Sequence, residues 1–414
     1  MNKKLALLII ATALLGLVIS SFKIQNAKAS GIIYIMADGR IGPSNVPISS
    51  ADNITYTFTG NVNNAIVVER NNIIVDGDGH TLEGNKSGYG IDISYRTNVT
   101  IKNMNIKAFF NGIYLSRSTY NSIIGNNITI NIMSGIRLFR LSYYNIICRN
   151  NITKNANGIG LVDSVDNRIF ENNIQYNGRN IELYGCYSNC IYHNNFIINA
   201  TQVQAYSYNK NNLSDYWDSG YPSGGNYWNN YDGADLLNGP YQNATGSDGI
   251  ADSAVVINEK NEKNRDHYPL KGMFYSFITS YGWSVSVISN SSIINPTFSL
   301  VNQPNAVLSF NISGENQTQG FCRICIPKAL INGSYTVTFD NKTIYDPQVR
   351  ELPCSNTTHE YLYINYTHSE HAIEISGTTT IPEHFQFVVF PLLMITALLA
   401  GIICRKSSKL SVQS

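Results

Sequence analysis

The feature that most constrains this chain is an internal repeat of 22 or 23 residues. A Gly-Ile-x-Leu track starts at Gly90 and returns, as Gly or Asn followed by Ile, at Gly112, Gly135, Gly158 and Asn180. A second track places Asn before Ile or Phe, at Asn105, Asn127, Asn151, Asn173 and Asn195. A third consists of Asn98, Asn121, Asn145, Asn167 and Asn189. Repeats of this length are typical of solenoids, in which each repeat forms one coil.

Leucine-rich repeats have a similar period, but they need helical or leucine-rich segments between their strands. Here the intervening segments are short, rich in β-branched residues and interrupted by Asn, Gly and Ser. Apolar and polar residues alternate along them, which indicates strands. We therefore predict an all-β fold whose body is a right-handed parallel β-helix. It has three short strands per coil and about six coils between residues 66 and 199, stacked ~4.8 Å apart.

The 53 asparagines suit such coils in two ways. Asn and Gly tolerate the positive φ that bends between strands require. Inward Asn side chains at equivalent positions also form hydrogen-bonded amide ladders along a stack. The Asn-x-Thr sequons at Asn127 and Asn151 are then predicted to be buried ladder residues rather than glycan acceptors.

The two ends of the chain predict export and membrane anchoring. Lys3 and Lys4 precede an apolar run, and Ala27-Lys28-Ala29 resembles a cleavage site, so residues 1–29 are predicted to be a signal peptide. An uncleaved N-terminal anchor is the alternative. Residues 385–404 are uncharged and long enough for a transmembrane helix. Basic residues follow this span, which predicts an extracellular ectodomain and a cytoplasmic tail at residues 405–414.

Composition divides the ectodomain further. We predict an N-terminal cap at 30–70, coils at 71–200 and an aromatic and acidic C-terminal cap at 201–272. A β-sandwich stalk of about seven strands (273–378) and a linker (379–384) would follow. The net charge of +1 gives no reason to expect nucleic-acid binding. The expected partners are the membrane and envelope or extracellular glycans or surface proteins.

An ordered set of motifs carries a family resemblance over residues 31–272. It comprises Ala37-Asp38-Gly39, Ile73-Ile74-Val75-Asp76-Gly77, Gly225-Asn226-Tyr227-Trp228, Asp248-Gly249-Ile250-Ala251-Asp252 and Asp266-His267-Tyr268-Pro269-Leu270. This set resembles archaeal surface proteins related to NosD. The resemblance implies a β-helix. It also implies copper handling, as in NosD itself, or carbohydrate binding and sugar hydrolysis, as in its wider relatives. Pro382-Glu383 resembles an archaeal sorting tail, so processing of the C-terminal span is an alternative to its retention.

The aromatic and acidic segment after the coils has three interpretations. Its aromatic residues plug the open end of the coil interior, or they form an exposed platform for sugar rings. The platform residues would be Trp217, Tyr227, Trp228 and Tyr231. In the third interpretation Ca²⁺ holds the segment, because carboxylates supply the oxygen ligands that this ion prefers. The calcium ligands would be Asp232, Asp235, Asp248 and Asp252.

A parallel β-helix enzyme acts from an outer groove formed by stacked coils. The outward column of the Gly-Ile-x-Leu track reads Asp92, Tyr114, Arg137, Gly160 and Glu182. Glycoside hydrolases need two carboxyl groups about 5–10 Å apart. Asp92 and Glu182 are four coils apart, roughly 19 Å at strand spacing, and Arg137 has no acidic neighbour one coil away. We assign no catalytic residues, and a polysaccharide lyase or hydrolase remains an alternative.

Copper is the remaining cofactor hypothesis. Copper(I) prefers thiolate and imidazole ligands, and Cys186, Cys190 and His193 fall within one coil. A Cys186–Cys190 disulfide explains the pair equally well, and Cys354 is a candidate to pair with Cys322 or Cys325. The sequence therefore favours a non-catalytic surface protein that binds glycan or another envelope ligand, with a polysaccharide-cleaving enzyme and a copper accessory protein as alternatives.

Overall fold

A computed structural model describes residues 31–199, 203–208, 213–257, 264–300, 305–344 and 348–379. Over these ranges the regular structure consists of β-strands alone. The predicted signal peptide, the transmembrane helix, the tail and all but the first residue of the linker lie outside the described residues. Within the described ranges, no helix has the length and apolar character needed to span a bilayer.

Three parallel sheets form the body, and each full coil adds one strand to each sheet. Sheet A consists of Ile32–Ile35, Ala65–Val68, Tyr89–Asp92, Asn111–Ser116, Ser134–Phe139, Asn157–Val162, Arg179–Tyr184 and Val203–Tyr208, with Ile41–Gly42 antiparallel at its first edge. Sheet B consists of Thr55–Phe58, Ile73–Asp76, Val99–Lys102, Ser122–Ile124, Ile146–Cys148, Arg168–Phe170 and Cys190–Tyr192, with Ile48–Ser49 antiparallel at its first edge. Sheet C consists of Thr81–Glu83, Asn105–Lys107, Asn127–Thr129, Asn151–Thr153, Asn173–Gln175, Asn195–Ile197 and Tyr227–Trp228.

The register confirms the predicted parallel β-helix. The isoleucines of the Gly-Ile-x-Leu track pair directly from coil to coil and are fully buried: Ile91, Ile113, Ile136, Ile159 and Ile181. Sheet A has six strands from Ala65–Val68 to Arg179–Tyr184, which confirms the predicted number of coils in that range. A single coil has too little apolar surface to fold alone. The coils are stable together because stacking buries one continuous apolar core.

The coils begin earlier than the predicted boundary at residue 71. Ile32–Ile35 and Ala65–Val68 pair in parallel with each other, and Thr55–Phe58 pairs in parallel with Ile73–Asp76. Ile41 and Val46 pack against the core from the segment between the first strands. The predicted cap at 30–70 therefore contains coil strands. The first coils lack the Gly-Ile-x-Leu signature, so the repeat did not reveal them.

The asparagines form the predicted amide ladders, and the prediction that they also occupy the bends is confirmed only in the first coils. Asn72, Asn98 and Asn103 have positive φ, but between residues 105 and 195 the residues with positive φ are glycine or other types, such as Tyr120 and Lys154. The buried ladder asparagines directly follow these positive-φ residues. They form three columns: Asn121, Asn145, Asn167 and Asn189; Asn126, Asn150, Asn172 and Asn194; Asn131, Asn155 and Asn177.

The predicted buried position of the two sequon residues is wrong. Asn151 Nδ2 donates to Asn127 Oδ1 at 2.9 Å, so a ladder exists, but it runs on the outer face of sheet C, where both side chains are half-buried. Strand alternation explains the difference, because Ile128 and Ile152 occupy the adjacent inward positions.

Within the described residues, the C-terminal module is a β-sandwich of two five-stranded antiparallel sheets, which gives ten strands where about seven were predicted. One sheet has the order Met273–Ile278, Ser284–Ser289, Gln319–Pro327, His359–Thr367, Val349–Glu351. The other has the order Ser292–Leu300, Asn305–Ser313, His371–Thr379, Ile331–Phe339, Lys342–Thr343. Buried side chains of both sheets, including Val287, Leu308 and Ile375, form one core between them.

The sandwich packs directly on the last coils. Phe274 and Ile288 share a buried cluster with Ile250 and Leu270 of the preceding segment. Asn195, on the sixth strand of sheet C, accepts a hydrogen bond from the Phe274 backbone N–H at 2.7 Å and donates one to its carbonyl at 2.9 Å. The predicted stalk is therefore attached to the β-helix through a buried contact.

Candidate functional site

The outer face of sheet A carries one continuous column of residues in register. From the first coil to the last it reads Tyr34, Val67, Asp92, Tyr114, Arg137, Gly160, Glu182 and Tyr206. Seven strand spacings of ~4.8 Å give the column a length of roughly 34 Å. Because the strands are in register, side chains from distant parts of the sequence lie side by side.

Aromatic rings form a shelf in the first half of this face. Tyr89 and Tyr114 stack with ring centroids 4.0 Å apart, and the Phe139 ring follows at 6.5 Å from Tyr114. We call these three residues the aromatic shelf. Tyr184 and Tyr208 form a second stack at 5.1 Å toward the last coil. Rings presented on an outer face offer flat apolar surface together with polar edges.

Between the two stacks lies a polar network that spans two coils. Arg137 Nη1 lies 3.5 Å from Glu182 Oε2, although Gly160 separates the two residues in the column. A Cβ atom at Gly160 would lie 2.5 Å from Arg137 Nη1, so only glycine leaves room for the arginine to reach across. As predicted, Arg137 has no acidic neighbour in the column one coil away. Its acidic partner, Glu182, lies two coils away.

Neighbouring side chains complete the network. Glu182 also receives a hydrogen bond from Asn157 Nδ2 at 3.0 Å and pairs with Arg179 Nη1 at 3.1 Å. Ser134 is fully buried beside Gly160, and its hydroxyl has no hydrogen-bond partner within the described part of the chain. The network thus places arginine and amide donors beside the aromatic rings, and it leaves one buried hydroxyl unpaired.

A cavity of about 410 Å³ continues the face toward the first coils. Ile32, Val67 and Asp92 line it, together with Tyr89 of the aromatic shelf. Residues of the turns at 63–64 and 84–88 complete the lining. The cavity and the shelf are therefore parts of one surface.

The structure does not support the predicted sugar platform in the C-terminal segment. Trp217 is 0% and Trp228 is 2% exposed, and both belong to the core of the β-helix. Trp228 stacks on Phe196 of the preceding coil at 4.5 Å. Tyr231 is half-buried and donates a hydrogen bond to the Ser253 carbonyl at 2.6 Å. Tyr227 is half-buried and packs on the cluster that joins the sandwich. These positions fit the cap interpretation.

Three of the four proposed calcium ligands, Asp235, Asp248 and Asp252, bond to protein groups instead. Asp235 accepts hydrogen bonds from the backbone N–H groups of Asp248 and Gly249 at 2.8 and 2.9 Å. Burial raises the pKa of Asp235 to about 7. Asp252 accepts from the backbone of Leu236, and Asp232 is exposed. No three His, Cys, Asp or Glu side chains among the described residues are grouped to hold a metal ion.

Two acidic residues that the sequence analysis did not single out end the amide ladders. Asn189 Nδ2 donates to Asp215 Oδ1 at 2.7 Å, and the Asn226 backbone N–H donates to Asp266 Oδ2 at 2.8 Å. Trp228 Nε1 donates to the same Asp266 oxygen. Burial raises the pKa of Asp215 to about 6 and that of Asp266 to about 7. For Asp215 the available signal was its position 26 residues after Asn189, about one coil further on. Asp266 lies 40 residues after Asn226, so the repeat spacing did not point to it.

The proposed copper ligands do not converge. Cys186 is buried in the coil core, where burial raises the pKa of its thiol to about 12, whereas Cys190 lies half-buried on sheet B. The His193 ring stacks on Phe274 at 4.0 Å, and its Nε2 lies 2.9 Å from the Ser223 carbonyl. Burial lowers the pKa of His193 to about 4. These residues do not fit a shared copper ion.

The suggested disulfides are not formed either. The structure contains no disulfide among the six cysteines it describes, which include Cys186, Cys190, Cys322, Cys325 and Cys354. Cys322 lies instead in the sandwich core, where its thiol contacts Ser289 and Tyr366.

Comparisons with known proteins identify one family and several similar structures. A family model described as periplasmic copper-binding protein (NosD) matches residues 21–233. No curated protein matches the sequence. The periplasmic alginate epimerase AlgG is 22% identical with a TM-score of 0.26, over 34% of this chain and 38% of the epimerase.

Phage tailspikes are also similar. The Dettilon tailspike protein is 11% identical with a TM-score of 0.25, over 84% of this chain and 85% of the tailspike chain. The enzymatically active domain of bacteriophage CBA120 tailspike protein 2 is 10% identical with a TM-score of 0.28, over 78% of this chain and 51% of that domain. At these TM-scores the likenesses carry no argument about activity.

Proposed function

We propose that this chain, which belongs to the NosD family, binds an extended glycan along the outer face of sheet A without cleaving it. The observation that supports this proposal is the continuity of that face. The aromatic shelf, the polar network around Glu182 and the cavity at Asp92 lie in one row. The apolar face of a sugar ring packs on aromatic rings, while its hydroxyls accept and donate hydrogen bonds.

The geometry of Glu182 argues against cleavage. Both of its carboxylate oxygens are already engaged, one by Arg179 and the other by Arg137 and Asn157. The other carboxylate of the column, Asp92, is four coils away, roughly 19 Å at strand spacing. Paired action on one glycosidic bond needs about 5–10 Å. We therefore infer binding rather than hydrolysis.

An exported location suits this function. The predicted span at 385–404 would hold the β-helix outside the cell, with the sandwich between the membrane and the coils. The buried contact between Asn195 and Phe274 supports a fixed presentation of the binding face.

The test is glycan retention by the purified full-length protein on an array of polysaccharides, with mass spectrometry of the retained chains. Retention without shortening is the expected result. Tyr114→Ala should weaken binding about tenfold, the equivalent of 1.4 kcal/mol, because it removes the central ring of the shelf. Phe170→Ala is the matched control, since Phe170 stacks on Tyr192 in sheet B.

Three outcomes would overturn the proposal. Shortened glycans would indicate a hydrolase or lyase. Equal losses in Tyr114→Ala and Phe170→Ala would show that the sheet A face is not the site. Copper that co-purifies with the protein, in the absence of any glycan retention, would favour the copper accessory alternative.

A further inference from the structure

Two adjacent arginines at the edge of the sheet A face have no acidic partner. Arg117 follows the strand Asn111–Ser116, and Arg140 follows Ser134–Phe139 one coil later. The Arg117 backbone N–H donates to the Arg140 carbonyl at 2.9 Å, so the two residues are stacked at strand spacing. Both side chains are exposed.

Their guanidinium groups lie over aromatic rings instead of carboxylates. The guanidinium carbon of Arg117 is 5.8 Å from the Tyr95 ring centroid, and that of Arg140 is 4.9 Å from the Phe139 ring centroid. Asp163, the acidic residue one coil further, does not pair with either arginine. Its Oδ1 lies beside Gly185, 2.5 Å from the position that a Cβ atom would take there. Among the described residues, neither arginine forms an ion pair with a side chain.

Some basic side chains along the rod are neutralised by a carboxylate from the adjacent coil. Lys102 lies 2.9 Å from Asp76, and Arg149 lies 2.6 Å from Glu171. In both cases the partner occupies the neighbouring turn of the β-helix. Stacked coils thus offer a simple way to compensate charge, and the Arg117 and Arg140 pair departs from it. Two adjacent like charges repel each other unless an anion lies between them.

The pair is contiguous with the proposed glycan site. Phe139 belongs to the aromatic shelf and also contacts Arg140. A sugar ring on the shelf would therefore hold its substituents beside two guanidinium groups. Guanidinium groups bind carboxylate and sulfate oxygens through paired, charge-assisted hydrogen bonds.

We propose that the bound glycan is anionic, and that Arg117 and Arg140 bind acid groups of consecutive sugars. This inference rests on the proposed function and narrows its ligand to acidic polysaccharides. The acid groups are carboxylates or sulfate esters, which share the same pairing with guanidinium.

The experiment compares polygalacturonate, its fully methyl-esterified form and dextran sulfate as probes for the full-length protein. The wild-type protein should retain polygalacturonate or dextran sulfate at least tenfold more tightly than the neutral ester. Its affinity for the acidic probe should fall as salt is raised, because the arginines are exposed. The double variant Arg117→Gln/Arg140→Gln should lose most of this preference and most of the salt dependence.

The matched control is Lys154→Gln/Lys342→Gln, which removes the same charge from exposed positions on sheet C and on the sandwich. It should bind all probes like the wild-type protein. Equal retention of acidic and neutral probes, or unchanged binding by the arginine variant, would overturn the inference of an anionic glycan. The proposal of glycan binding would still stand if Tyr114→Ala weakens binding. Retention of no polysaccharide at all would instead refute the proposed function. The carboxylate and sulfate probes separate the two sources of charge.

Discussion

Arg323 Nη1 lies 3.3 Å from Asp248 Oδ2, and both side chains are buried although the residues belong to different modules. The same guanidinium donates to the carbonyls of Asp248 and Pro222, each at 2.6 Å. It also lies over the Tyr361 ring. One arginine of the sandwich therefore holds the loop that closes the β-helix, and it forms an ion pair with a buried carboxylate that was one of the candidate calcium ligands.

Replacing Arg323 should destabilise the junction strongly. Arg323→Ala leaves Asp248 buried without a cation, and removal of one partner of a buried pair costs about 3–5 kcal/mol. The free energy of unfolding in urea should fall by that amount. Adding Asp248→Asn should recover part of the loss.

The control for this prediction is Lys107→Ala, since Lys107 pairs with Glu83 at the surface at 3.4 Å. Surface pairs contribute about 1 kcal/mol or less. Similar losses in the two alanine variants would show that the Arg323 pair does not stabilise the junction.

The amide ladders predict a sharp difference between adjacent asparagines. Asn172 Nδ2 donates to the carbonyls of Ile147 and Phe170 and to Asn194 Oδ1, all inside the coil. Asn172→Ala leaves these acceptors unpaired, so a loss of about 2–4 kcal/mol is expected. Asn173→Ala, on the exposed outer face, should cost less than about 1 kcal/mol. Thermal and urea unfolding of both variants measure this; equal costs would contradict the inward ladder.

Asp215 predicts a pH dependence of stability. Burial raises its pKa to about 6 in the folded protein, above the ordinary value of 3.8, so the folded state binds this proton more tightly than the unfolded state. The stabilisation of the folded state by this bound proton is fully present below about pH 4 and is lost as the pH rises through 6. The difference corresponds to about 3 kcal/mol.

Asp215→Asn removes this titration. The stability of the variant relative to the wild-type protein should therefore rise by about 3 kcal/mol between pH 4 and pH 8, measured by urea unfolding. Asp78→Asn, which replaces an exposed carboxylate on a turn, is the matched control variant. Parallel pH profiles of Asp215→Asn and the wild-type protein would refute the assignment.

We expect the variant Gly160→Ala to lose glycan binding without losing stability. A Cβ atom there would displace the mobile end of Arg137 and break its pair with Glu182, while the backbone position remains compatible with alanine. Gly160→Ala should unfold at the same or a slightly higher denaturant concentration, because glycine weakens strands by about 0.5–1 kcal/mol relative to alanine. Glycan retention should nevertheless fall.

For Gly160→Ala the matched control is Gly60→Ala, whose Cβ atom would meet only Pro47 at 3.5 Å. It should leave retention unchanged. Full retention by Gly160→Ala would show that the polar network does not contribute to binding.

The candidate site was only partly predictable. The column from Asp92 to Glu182 could be read directly from the repeat, since a constant period fixes which residues are neighbours. The Arg137–Glu182 pair could not, because it depends on the reach of one side chain across the empty space at Gly160. The aromatic shelf was missed for a related reason. Tyr89 and Phe139 belong to different columns, and their rings meet Tyr114 only through their side-chain conformations.

The sequence alone determined the coil architecture, the number of central coils and the identity of the stacked isoleucines, because identical side chains one period apart must lie over one another in a parallel stack. Tertiary structure decided what lies beyond the repeat. Trp217 and Trp228 are core residues rather than a sugar platform, and Asp248 faces Arg323 rather than a metal ion. These outcomes depend on contacts between segments up to about a hundred residues apart, and local sequence patterns contain no information about which distant groups will share a buried space.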